Sequence, residues 1–303
     1  MKVLIIISFL FSCVVHAQHE DLLARSKAIY DEKLPQPYQK LKILHPKLSP
    51  IQPGDWLESH KEEGQSVAAY IKNRRTRPNA KQKFIYIQRI GEFTPEHSKI
   101  LDSTKDYMSL CFGVPVKELA VYPDKQIPAK AQRIHPSWGM KQFYTTYLLE
   151  QVLKKRKPAD ALCVIGFTAT DLYPDPNWNF VFGIARPWDG LGLWSIYRNG
   201  DPSKSDVAYQ LCLRRTIHTA IHETGHLFNI MHCIAFDCVM NGSNSREESD
   251  RRELYFCPSC LYKLCNNMKL DPRKRFENLA KFCTLQSLKK EADFFKKSLT
   301  LSK

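Results

Sequence analysis

The stretch HETGHLFNIMHC, residues 222–233, gathers three of the chain's ten histidines and one acid into twelve positions. Neutral imidazole is the commonest protein ligand for zinc, and an acidic neighbour is what a metal-activated water needs as its base. On a helix, residues four apart lie one turn up on nearly the same face, so His222 and His226 aim their rings at a common point. Glu223 sits about 100° further round the helix. It cannot easily join the two histidines as a ligand, but it can lean over an open coordination position. A catalytic zinc takes three protein donors and a water, and His232 offers the third donor if the helix stops and the chain turns back. Asn229 stands where that turn is needed, and Asn is, after Gly, the residue best tolerated in the left-handed conformation that ends helices. HExxH alone arises by chance in roughly one chain in fifty to one in a hundred, and a histidine at a further fixed position lowers that by about thirtyfold. Three unrelated surface histidines are therefore disfavoured. His218, four residues before His222, reads as an ordinary exposed helix histidine, with support of a ligand as the alternative.

A second constellation follows at once. Cys233 and Cys238 precede Met240, and after sixteen intervening residues comes Cys257-Pro-Ser-Cys260. Two thiolate pairs on either side of a loop suit a closed tetrahedral structural zinc. Two disulfides are the alternative, against which the CxxC pair argues. The pairing state of Cys111, Cys163, Cys212, Cys265 and Cys283 is left open.

Stepping outward to the elements that must hold these groups, KFIYIQRI from Lys83 alternates apolar and polar residues and predicts a strand. Thr94, Pro95 and Glu96 form a helix start, and VKELAVYP predicts a second strand. SWGMKQFYTTYLLEQVLKKRKP carries Tyr144, Tyr147, Leu148 and Val152 at helical spacing and predicts a helix with basic residues at its end. The continuous apolar run DALCVIGFTATDLY predicts a buried strand, and NFVFGIA and LGLWSIY predict two more that are antiparallel neighbours. A helix over residues 206–229 then carries the first two histidines. Beyond His232 the chain is Cys-rich and irregular, closing with amphipathic helical material from Asp271 to Lys297. There is no internal repeat.

The first seventeen residues, MKVLIIISFLFSCVVHA, join one Lys to an apolar run and end in a small residue, the pattern of an export signal cleaved after Ala17. A signal-anchored membrane protein is the alternative, although a bilayer span needs roughly twenty apolar residues. Cleavage removes Lys2, leaving 44 Lys and Arg against 31 acids, a net +13. Such a surface favours anionic partners. Nucleic acid is not expected as a partner, because export and the lack of aromatics interleaved with the basic stretch RRTRPNAKQK disfavour it. No cysteine lies between Cys13 and Cys111, so a pro-segment cannot silence the metal with a thiolate, and the segment before RRTR is expected to remain attached. Asn241-Gly-Ser243 is a glycosylation acceptor for which low occupancy is expected, since Met240 beside it should be buried.

HETGHLFNIMHC, followed by IAFDCVMNGSN and CPSC, resembles the archaemetzincin family of metzincin zinc peptidases, and so do DLYPDPNWNFVFG and DWLESH. The likeness runs from about Leu44 to Leu264. It implies an α+β fold, with a metzincin-type mixed sheet and active-site helix followed by a Cys-rich, zinc-stabilised subdomain with helices. The expected divisions are a signal at 1–17, an extension and basic linker at 18–82, a catalytic subdomain at 83–230 and a carboxyl-terminal subdomain at 231–303. The resemblance further implies that His222, His226 and His232 bind the catalytic zinc and that Glu223 is the general base. Met240 is then the methionine of the turn beneath the metal, and Cys233, Cys238, Cys257 and Cys260 hold a second zinc. Two features depart from the family: Asn229 replaces a glycine, and the export signal is unlike its intracellular members. The expected activity is hydrolysis of peptides or proteins, endo- or aminopeptidase unresolved, with the NFVFGIA strand holding substrate by backbone pairing. The alternative is a non-catalytic zinc-stabilised binding module for an anionic partner, in which an acid beside the ligands has no task.

Overall fold

A strand buried on both faces needs an unbroken apolar run, and Ala161–Thr168 (β5) is buried at every residue. The computed structural model describes residues 20–73 and 76–302; the expected export signal and Arg74 and Arg75 lie outside the described residues. β5 is flanked on one side by β1 (Phe84–Ile90) and β2 (Val116–Tyr122), and on the other by β8 (Leu191–Ser195) and β7 (Gly183–Arg186). The order is β2-β1-β5-β8-β7. Every pair is parallel except β8 with β7, where Gly183 lies opposite Trp194 and Arg186 opposite Leu191. This is the expected antiparallel neighbour pair, and it leaves β7 as an edge of the sheet. Ile85, Ile87, Cys163, Ile165 and Phe167 pack on one face, whereas Tyr86, Val164, Leu191 and Leu193 pack on the other against Leu148, Leu149, Val152 and Leu153.

A second sheet is ordered β3 (Gln132–Ile134), β4 (Lys141–Tyr144), β6 (Asp171–Tyr173), and it corrects two expectations. The helix expected across the segment from Ser137 starts only at Thr145. Before it, Gln142 belongs to β4 and its side-chain amide donates to Asp171 Oδ2 at 2.7 Å and to the Asn179 carbonyl at 2.8 Å. The run DALCVIGFTATDLY is likewise two strands, because Thr168 Oγ1 accepts the Thr170 N–H at 3.1 Å and the chain leaves the large sheet for the small one. NFVFGIA serves both sheets: Val181 bridges Leu172, and the chain from Gly183 onward pairs with β8.

Helix α1 (Pro95–Phe112) starts as its sequence requires, with the Thr94 side chain accepting from His97 N and Gly113 ending it at φ 62°. Helix α2 (Asp206–Leu227) is capped by Ser205, whose side chain accepts from Ala208 N, and it packs on α1, β7 and β8. The carboxyl-terminal part holds α3 (Pro258–Met268), α4 (Pro272–Leu285) and α5 (Lys289–Leu301). The amphipathic material expected from Asp271 to Lys297 is thus two helices, parted where Ser287 takes φ 59°.

The residues before β1 share the core of the rest. Leu22, Ile29, Leu41, Val67 and Tyr70 are buried in one cluster with Phe228 and Phe236. Tyr70 donates to the Phe228 carbonyl at 3.0 Å, and the Asp237 carboxylate accepts from both the N–H and the hydroxyl of Ser49. Buried Glu248 is a further tie, accepting from Trp56 N at 3.0 Å, Asn244 N at 2.7 Å and Arg252 Nη2 at 2.8 Å. Breaking a buried ion pair from one side typically costs 3–5 kcal/mol. Asp237 still faces Arg252 at 3.6 Å, so Glu248→Ala is expected to lose about 3 kcal/mol. Urea unfolding checks this, and a change below about 1 kcal/mol would contradict it.

Candidate active site

Helix α2 places His222 and His226 one turn apart, and both rings are locked by backbone carbonyls. His222 Nδ1 meets the Val239 carbonyl at 2.8 Å and His226 Nδ1 meets the Ile230 carbonyl at 2.8 Å. A carbonyl can only accept, so each Nδ1 carries the proton and each Nε2 keeps its lone pair. Those two Nε2 atoms lie 3.1 Å apart. Two lone pairs at that distance repel unless a cation lies between them. Tetrahedral zinc with bonds of 2.0–2.1 Å sets two nitrogens about 3.3–3.4 Å apart, so the donor set fits zinc. Burial lowers the pKa of His222 to about 3 and that of His226 well below its usual value, keeping both rings neutral.

His232 completes the group, and the ligand atoms of the three histidines all lie within 4.8 Å of one another. The chain returns because Asn229 takes φ 63° and closes the helix, with Asn229 N donating to the His226 carbonyl at 2.8 Å and Ile230 N to the Gly225 carbonyl at 3.0 Å. These are the paired bonds of a Schellman cap. Asn229 therefore makes the turn in place of glycine. Gln65 Nε2 donates to the Asn229 carbonyl at 3.0 Å and steadies it.

Sequence reasoning missed Glu62. Its Oε1 accepts from His232 Nδ1 at 2.6 Å and from Trp56 Nε1 at 2.7 Å, orienting the third ring as the carbonyls orient the first two. Burial alone would raise this carboxyl, but the hydrogen bonds from His232 and Trp56 hold it below its ordinary value. Gly225 was missed as well. A Cβ there would meet Met240 Sδ at 2.5 Å, so the fully buried Met240 packs directly on the backbone of the histidine-bearing helix. His218 is corrected: it is 5% exposed, not a surface residue, and its ring stacks towards His222 at 6.3 Å. Glu223 lies beside the three histidines, and burial pushes its carboxyl up to about 7.

The ligand atoms of Cys233, Cys238, Cys257 and Cys260 also lie within 4.8 Å of one another, and all four residues are buried. Cys233 Sγ and Cys257 Sγ are 3.8 Å apart, far beyond a disulfide bond, whereas four sulfurs at about 2.3 Å from zinc lie roughly 3.8 Å apart. Cys257 N donates to Cys238 Sγ at 3.2 Å. Among the described residues all nine cysteines are free and buried. Asn241 ties the loop between the two groups. Its amide nitrogen donates to the Cys233 and Phe236 carbonyls and its oxygen accepts from Cys238 N, so the glycosylation acceptor is spent inside the fold.

The histidines and Glu223 line a cleft of about 860 Å³, walled by Gly183, Ile184 and Ala185 of β7 and by Trp178 and Trp188. Fold and site together define a zinc metallopeptidase of mixed-sheet architecture, and the comparisons agree. The model of peptidase family M54 matches residues 83–266. Archaemetzincin-2 of Homo sapiens is 33% identical over 83% of this chain and 77% of its own length. Archaemetzincin of Pyrococcus furiosus is 31% identical over 59% of this chain and 91% of its own. The crystal structure of archaemetzincin from Methanopyrus kandleri is 28% identical, with a TM-score of 0.48, covering 64% of this chain and 99% of that one. The chain belongs to the archaemetzincins, peptidase family M54, which are zinc metallopeptidases.

Residues that orient metal-binding histidines are worth about 10- to 100-fold in metal affinity. Glu62→Gln is accordingly expected to weaken zinc binding at the histidine group by at least tenfold, read by competition against a chromophoric chelator. Unchanged affinity would remove Glu62 from the site.

Proposed function

We propose that the protein hydrolyses peptide bonds at zinc held by His222, His226 and His232 with Glu223 as general base, and that Cys233, Cys238, Cys257 and Cys260 hold a second, structural zinc. One observation carries the reading: three imidazoles, each fixed through Nδ1, converge beside a carboxylate in a cleft bordered by an edge strand. Zinc at that point supplies Lewis acidity to a water and to the scissile carbonyl. Glu223 takes the proton of the attacking water and passes it to the leaving amine as the C–N bond breaks. The free edge of β7 pairs with an extended peptide or protein segment and lays it across the cleft. On this reading the part before about residue 230 supplies His222, Glu223 and His226. The remainder supplies His232, the supporting Met240 and the four thiolates.

The two metals separate by mutation. Glu223→Gln removes the base and no ligand, so both zinc ions stay bound while hydrolysis of a peptide library falls by at least a hundredfold. Full retained activity would end the general-base assignment. Cys257→Ser takes a donor from the closed site, whose metal contributes directly to folding. It should retain about one zinc per chain and unfold well below the wild-type midpoint. Two zinc ions with an unchanged midpoint would mean that these cysteines are not ligands.

We also propose that Met1–Ala17 is an export signal and that the mature protein begins at Gln18. The packing of Leu22, Ile29 and Leu41 in the common core supports retention of everything after it. Among the described residues no helix is long and apolar enough to cross a membrane. Amino-terminal sequencing of protein from the culture medium should return Gln18. Met1 would reject the signal, and active material always starting at Pro78 would reject retention.

A further inference from the structure

Next to the main cleft opens a recess of about 70 Å³ that shares Phe182, His222, Glu223 and Ser243 with it. His218 and Arg246 complete the part that matters here. Three of these side chains carry buried polar atoms that no protein group meets: His218 Nε2, Ser243 Oγ, and Nε and Nη2 of Arg246. Buried donors without acceptors are costly, more so on a charged group.

Nε and Nη2 form the side-on edge of a guanidinium, the edge that grips both oxygens of one carboxylate. This protein uses the edge that way elsewhere. Arg198 turns Nε and Nη2 to the two oxygens of Asp171 at 2.9 and 2.8 Å, and Arg215 Nε donates to Asp250 at 2.9 Å. The other arginines facing His218 each hold a carboxylate, Arg214 Nε donating to Glu291 at 3.0 Å and Arg252 Nη2 to Glu248 at 2.8 Å, with Arg252 Nε left without a hydrogen bond. No carboxylate among the described residues meets that edge of Arg246. Its guanidinium carbon lies 4.1 Å from the centre of the Phe182 ring, which holds the plane in place beside the chain leading into β7. Burial draws the Arg246 pKa down to about 10, which leaves the charge intact at neutral pH. Ser249 Oγ lies 3.5 Å from His218 Nδ1, and a hydroxyl donating there leaves the His218 proton on Nε2 as a further donor.

We propose that this recess is a carboxylate subsite of the peptide cleft: an acidic side chain or the terminal carboxylate of a substrate docks side-on against Arg246, assisted by Ser243 and His218. The proposal rests on the peptidase reading for its substrate, and it makes that substrate acidic at one position near the scissile bond. It also gives the positive surroundings of His218 a task at the cleft.

Binding tests it apart from catalysis. The zinc-loaded Glu223→Gln protein is titrated calorimetrically with one neutral peptide frame in which Glu replaces Gln at successive positions, each version with a free or an amidated carboxyl terminus. A charge-assisted pair predicts that one Glu position, or the free terminus, binds about 10- to 100-fold tighter than its neutral counterpart. The Glu scan and the amidation separate the two sources. Adding Arg246→Gln should abolish that advantage, and Arg246→Lys should restore part of it. If Arg246→Gln does not fold, Ser243→Ala reads the same advantage, with an expected loss of about three- to tenfold. Equal binding of acidic and neutral peptides overturns the subsite, as does an advantage that persists without Arg246. Hydrolysis by the Glu223-intact protein is scored separately, so failure of the peptidase reading leaves the binding result standing.

Discussion

The histidine group is organised around one unfavourable contact, the approach of two imidazole lone pairs to 3.1 Å. The tautomers that create it are imposed by the carbonyls of Val239 and Ile230, neither of which can give up a proton. Left in water, the rings would protonate or swing apart. Burial blocks the first escape by disfavouring the charged form, and the Nδ1 hydrogen bonds to the Val239 and Ile230 carbonyls block the second. A dication resolves the conflict, so the protein stores at this point a demand for metal that the rest of the fold must sustain.

Sustaining it falls to a single loop. His232 and Cys233 are adjacent, and Cys238 and Met240 are two apart, so the third histidine and the methionine under the helix each lie within two residues of a member of the thiolate group. Asn229 reverses the chain at one end, Asn241 cross-braces the loop with three hydrogen bonds, and Cys257 and Cys260 at the start of α3 clamp it from outside. The segment before β1 closes the arrangement, since Glu62 orients His232 and Gln65 holds Asn229. The geometry of the histidine group is thereby tied to that of the thiolate group.

The parts of this that could be read from sequence are those encoded by short spacing. HExxH on a helix, CxxC at a helix start and the apolar run of β5 are local patterns whose geometry hardly depends on the rest of the chain. Glu62 was invisible because 170 residues separate it from His232, and no periodicity links them. His218 was misread because α2 is enclosed on more than one side, which a helical pattern cannot reveal when the residues beside the ring, Arg246, Ser249 and Arg252, come from a distant segment that is itself polar. Four residues of β4 were lost inside an apparent helix because Tyr144 happens to fall in phase with Tyr147 and Leu148; the decisive fact, that Gln142 finds two acceptors in distant strands and loops, is tertiary. That Asn229 could end the helix in place of glycine was legible from its tolerance of the left-handed conformation, and its φ of 63° with two cap bonds shows how it does so.

X-ray absorption at the zinc edge of the purified, metal-loaded protein tests the central claim most directly. One site of three imidazoles and water, averaged with one of four thiolates, predicts per zinc about two sulfurs near 2.3 Å and two nitrogen or oxygen neighbours near 2.0–2.1 Å, with imidazole scattering beyond. A shell of sulfur alone, or of nitrogen and oxygen alone, would contradict it.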